Sequence, residues 1–201
     1  LGARVICNGS GSGYTDSGSS DGGGLRQSVA VETIVESSAG YFLQGHSNFL
    51  DFSSTYENHD LDGADLPKWT EHLNSALENT TNARKAYNAL VQRAEETPYN
   101  PEVSALLYDF NYSQFCRDNG LDQELFAEVE GFLVNGDITG YFKLHFQRVL
   151  SIENLLRSLI SDVNIGVLPD SGQVGQIHEM FSITLLQGQY VAMVFYSINN
   201  N

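Results

Sequence analysis

The sequence predicts an all-α protein: an antiparallel four-helix bundle with a short two-helix insertion between the second and third long helices, behind an extended Gly/Ser-rich N-terminal arm. Three observations carry that expectation. Four long segments each hold an unbroken seam of apolar or small residues at alternating steps of three and four, the signature of one buried helix face. Pro, Asn, Asp and Gly stand where those seams begin and end. Residues 8–24 are almost wholly Gly, Ser and Asp, a different material from the rest of the chain.

The second long segment organises the others. Its seam is Leu66, Trp69, Leu73, Ala76, Thr80, Ala83, Tyr87, Leu90 and Ala94. Pro67 suits a first helical turn, where no backbone donor is needed, and Asp62 or Asp65 can cap it. Pro98 ends the run.

In chain order, residues 1–24 form the arm and 25–201 the helical domain. A Gly/Ser/Asp segment cannot bury enough apolar surface to offset its ordering entropy, so the arm reads as a tether. Leu25 to Tyr56 is the first long helix, with Ser28, Val31, Val35, Ser38, Phe42, Gly45, Phe49, Phe52 and Tyr56 on one face. Val29 to Val35 also alternates like a strand, but the helical pattern runs past that window on the same face.

The insertion occupies about residues 98–136. Asn100 caps its first helix, with Pro101 at the first position and Val103, Leu106, Leu107 and Phe110 inward, fraying near Asn111 and ending by Gly120. Asp122 caps the second, with Leu125, Phe126, Val129, Phe132 and Leu133 as its stripe. Asp137 then caps the third long helix, whose seam is Ile138, Phe142, His145, Val149, Ile152, Leu156, Leu159 and Val163. The last helix follows the loop around Pro169, with Val174, Ile177, Phe181, Thr184, Gly188, Val191, Phe195 and Ile198 on one face. A hairpin at Gln187 to Gln189 competes there, because Tyr190 to Ile198 is rich in strand formers.

Aligning the four seams by their ends places the arm, the insertion and the last residues at one end of the bundle. Phe42 falls opposite Thr80, Ile152 and Thr184, and the small residues Gly45, Ala76 and Gly188 make room for phenylalanines rather than lining a ligand cavity.

The chain is long enough, at 201 residues, for one domain with a real core. Charged residues make up 17%, below the roughly 25% of an average globular protein, and acids outnumber bases 25 to 10 for a net charge of −15. That balance argues against nucleic acid and against anionic lipid, both of which need clustered Lys and Arg. No apolar run is expected to reach the roughly 20 residues of a membrane span. No basic start, apolar stretch and cleavage site occur in signal-peptide order.

Few residues suggest chemistry. Cys7 in the arm and Cys116 in the insertion fall at the same end, which makes a disulfide between them plausible in an oxidising compartment. The alternatives are lipidation at Cys7 and two free thiols. Lipidation is disfavoured because Ile6 stands where a small residue is expected and six residues precede the cysteine. His145 is the one histidine on a core seam. It reads as a buried polar group hydrogen-bonded to Tyr87 rather than a metal ligand, since no Glu-x-x-His pair lies on the seams. Asp60, Asp62 and Asp65 with Gly63 resemble a fragment of a calcium loop but lack its terminal Glu, and read as a helix-linking turn. Asn8, Asn79 and Asn111 begin glycosylation acceptor triplets, with Asn79 least suited because it lies within a helix. No nucleophile elbow, phosphate loop or CxxC occurs.

The expectation is therefore a non-enzymatic extracytoplasmic protein without cofactor, extracellular or at the cell surface, that self-assembles as a homo-oligomer or polymer through its arm. The competing expectation is a tethered surface or periplasmic binding protein, lipid-anchored at Cys7, with its site near the insertion.

Overall fold

The computed structural model describes residues 31–57, 65–96 and 101–199. Every element among them is helical and none is a strand. The order is α1 (Val31–Glu57), α2 (Leu66–Glu96), α3 (Pro101–Asp109), α4 (Tyr112–Asn119), α5 (Gln123–Val134), α6 (Ile138–Asn164) and α7 (Ser171–Asn199). The strand alternative at Tyr190 to Ile198 is lost, since that stretch continues α7.

Capping explains most boundaries. Asp122 caps α5 by accepting from the Glu124 and Leu125 amides at 2.9 and 3.2 Å, and Asp137 caps α6 by accepting from the Gly140 amide at 2.8 Å. Asp170 does the same for α7 through the Gln173 amide, at 3.0 Å. Gly120 closes α4 with φ +63°, a left-handed conformation that a side chain would strain.

One expected element is different. The run from Pro101 to Gly120 is two helices, so three short helices separate α2 from α6. The cause is Asn111, whose Oδ1 accepts from the Gln114 amide at 3.0 Å and starts a new helix inside an apolar run. The break turns Tyr112 inward, where its hydroxyl donates to the Leu107 carbonyl at 2.7 Å.

Packing follows the seams. α2 lies between α1 and α6, while α7 touches α1, α5 and α6. α1 and α7 run antiparallel, since Tyr56 donates to the Pro169 carbonyl at 3.0 Å near one end while Phe42 meets Phe181 further along. One core cluster joins the long helices through Phe42, Phe49, Phe52, Trp69, Leu73, Ile152, Leu156 and Phe181. A second collects Leu107, Cys116, Phe126, Leu133, Tyr141, Tyr190 and Val194, so the short helices share a core with the ends of α6 and α7.

Gly45 has a role other than making room for a phenylalanine. A Cβ there would lie 2.9 Å from Thr80 Oγ1 and 3.3 Å from the Thr80 amide, so glycine lets the backbones of α1 and α2 approach. Gly45→Ala gains helix propensity, worth about 1 kcal/mol. Overpacking outweighs that gain, for a net loss of about 1–2 kcal/mol. A urea midpoint equal to or above wild type would contradict this close approach.

α7 carries no charged residue after Glu179. Contrary to the expectation that no segment would qualify, Ser171–Ile198 is long and apolar enough to cross a membrane by length and composition. Its packing against three helices is also what a core helix shows.

Candidate functional site

One layer of polar groups inside the helices is built on α6 around His145. Tyr141, His145 and Arg148 follow one another at steps of four and three and so project from one face of that helix. Tyr87 from α2, Gln187 and Gly188 from α7 and Glu128 from α5 surround them.

His145 is 1% exposed. The hydrogen bond expected between His145 and Tyr87 is not formed. Their rings stack instead, with centroids 5.7 Å apart, and neither imidazole nitrogen has a hydrogen-bond partner. Tyr141 is nearer, at 4.5 Å between centroids, and a Cβ built at Gly188 of α7 would lie 3.9 Å from the imidazole. Burial, reinforced by the Arg148 charge and opposed by Glu128, lowers the imidazole pKa to about 3. The ring is neutral at physiological pH. Burial pushes the Tyr87 hydroxyl up to about 12, partly offset by its hydrogen bond with Ser38.

Beside the imidazole, Arg148 donates to both Gln187 and Glu128. The fully buried Gln187 donates in turn to the Leu125 carbonyl at 2.7 Å and to Glu128 at 3.0 Å. Burial raises the Glu128 carboxyl pKa, but hydrogen bonds from Gln187 and Arg148 and the Arg148 charge hold it below the usual range. Three helices are thereby fixed in register. No spacing relation links Glu128, Arg148 and Gln187 in the sequence. The one signal is Gln187, a polar side chain next to seam residues in the part of α7 that carries no charge after Glu179.

A second ionic cluster ties α2 to α6. The buried Glu153 accepts from Arg84 at 2.5 Å and from Arg157 at 2.7 Å. Burial raises the Glu153 carboxyl, and the two guanidinium groups more than reverse it, so the group stays ionised.

The other expected residues are dispersed. Cys116 is a free thiol, 2% exposed in the second core, where burial and Glu130 push its pKa up. The Cys7–Cys116 disulfide therefore finds no support, and Cys7 lies outside the described residues. Asn8 and the turn holding Asp60 and Asp62 lie outside them as well. Asn111 is exposed, but its side chain serves as the α4 cap. Asn79 donates to the Ser75 carbonyl within α2. Among the described residues no three of His, Cys, Asp and Glu converge as a metal site would require.

A surface cleft of about 290 Å³ is lined by Glu128, Gly131, Phe132, Asn135 and Asp137 at the α5–α6 turn. It opens beside the polar layer without reaching His145.

No protein-family model, curated protein or solved structure matches this chain. Arg148, Gln187 and Glu128 bind one another, whereas neither His145 nitrogen has a hydrogen-bond partner among the described residues.

Proposed function

We propose that this chain is a non-enzymatic, extracytoplasmic structural subunit that self-assembles into a homopolymer such as a filament, with residues 1–24 reaching a neighbouring copy. On this reading α1, α2, α6 and α7 are the antiparallel four-helix bundle, and α3 to α5 are an insertion at the end from which the arm leaves. One observation carries it. The buried polar layer is engaged in holding helices together, while large apolar side chains stay outside, with Leu43 51% and Val35 40% exposed on α1. Apolar surface left outside marks a contact surface more often than a reaction centre. A net charge of −15 keeps free subunits apart and makes nucleic acid an unsuitable partner.

Deleting residues 1–24 should abolish polymers seen by electron microscopy while helical circular dichroism stays unchanged. Polymers that survive the deletion would end this reading.

A second reading has one observation in its favour, the 290 Å³ cleft at the α5–α6 turn. The chain would then be a surface or periplasmic binding protein tethered through a lipid on Cys7. Intact-mass spectrometry of native material separates the two. A diacylglycerol adduct on Cys7 supports the tether, and an unmodified Cys7 still preceded by Leu1 excludes it.

A further inference from the structure

We propose that the seam between α1 and α7 is a docking groove for the apolar segment Leu1–Cys7 of a second copy of this chain, an inference that rests on the assembly reading above. The groove has two sides. On α1, Val35, Ala39, Leu43, His46 and Leu50 fall within about 80° of the helix circumference. His46, in the middle of that stripe, faces α7, with its ring centroid 5.8 Å from His178 and 5.2 Å from Phe181. The flanking Val35, Leu43 and Leu50 are 40%, 51% and 40% exposed.

On α7, Leu185, Gln189, Ala192 and Tyr196 share the face of His178 by the same helical count. None is charged, and α7 holds no charged residue beyond Glu179 to suit a polar partner. Because the helices run antiparallel, this uncharged half of α7 lies beside the first turns of α1.

The occupant is argued from length, chemistry and charge. The chain that precedes α1 leaves from this end of the seam. Leu1–Cys7 reads Leu-Gly-Ala-Arg-Val-Ile-Cys, apolar but for one base. Extended, seven residues span about 24 Å. The stripe from Val35 to Leu50 is about 22 Å long. Residues 8–30 between segment and helix give a root-mean-square reach of about 26 Å, enough to cross to an adjoining molecule.

Residues 1–30 contain two bases, Arg4 and Arg26, and two acids, Asp16 and Asp21, so the whole charge of −15 belongs to the remainder. Arg4 therefore approaches an acidic body, with Glu36 next to Val35 on α1. Segment and groove are different surfaces, so the contact is heterologous, and repeated head-to-tail it gives an open polymer wherever the rotation between copies does not close a ring. That is the geometry a polymer needs.

The test labels Cys7 of the full chain with a benzophenone, which spares the buried Cys116, and mixes isotopically heavy and light protein before irradiation. Crosslinks should join Cys7 to residues 35–50 or 185–196 in heavy–light pairs. They should fall at least tenfold in Leu43→Asp/Leu50→Asp, and equally in Ile6→Asp, whose change lies outside the described residues. Crosslinks confined to single chains, crosslinks elsewhere on the body, or insertion of α7 into phosphatidylcholine vesicles without heavy–light pairs would each overturn the proposal. If the seam variant polymerises normally while the chain without residues 1–24 does not, this groove is wrong and the assembly reading stands. If the truncated chain polymerises, the assembly reading is wrong, and the crosslink map decides the groove by itself.

Discussion

Phe181→Ala should cost about 3–5 kcal/mol of stability, the largest loss expected from a single core truncation here. Phe181 is fully buried, and its ring lies 5.1 Å from Phe42, 5.2 Å from His46 and 5.8 Å from Phe49. Deleting it leaves a cavity where α7 meets α1, and it removes several aromatic contacts, each worth about 0.5–1.5 kcal/mol beyond area burial. α1 is held along its length by α2, so it cannot easily shift to fill the space. In a domain of this size the melting temperature should fall by roughly 10 °C. A fall of only a degree or two would mean that the contact between α1 and α7 does not hold these helices together.

The second large effect is a pH dependence centred on His145. Its folded pKa is lowered to about 3 from the ordinary imidazole value of 6.5, chiefly by burial. Above pH 6.5 the ring is neutral in both states and contributes nothing. Below it the unfolded chain takes up a proton that the native chain refuses, so stability falls as the pH falls. Each pH unit in that window costs about 1.4 kcal/mol, or about 2 kcal/mol between pH 6.5 and 5. His46, lowered by burial and by His178, acts in the same direction. Glu128 and Glu153 are lowered as well, so they act in the same direction, but their stabilisation is lost only lower, as the pH falls through the carboxylate range. Urea midpoints at pH 7 and 5 for wild type and His145→Leu check this. The wild type should lose markedly more on acidification than the variant, and parallel losses would refute the assignment.

The seams were legible because burial on one face imposes a period near 3.6, and nothing local competed with it along α2 or α6. Asn111 reads in sequence only as a point of fraying, because a capping side chain between Phe110 and Tyr112 is outweighed there by its apolar neighbours. Only the hydrogen bond to the Gln114 amide shows that a new helix starts there. Tyr141 was within reach of sequence reasoning, four residues before His145 on the same face, whereas the Tyr87 contact required tertiary alignment and came out as stacking. Glu128 and Arg148 were illegible for a physical reason. Each looks like a solvent-facing charge on its own helix, and only the meeting of α5, α6 and α7 brings them to Gln187. Gly45 teaches a related lesson, since a small residue on a seam can serve side-chain volume or backbone approach, and the pattern alone does not separate them.

Self-assembly is the claim on which the functional account stands, and the mass of the unmodified chain in solution tests it most directly. Sedimentation equilibrium over a hundredfold range of concentration should show species well above the 22.1 kDa subunit that grow with concentration. A single 22.1 kDa species throughout that range would contradict the account.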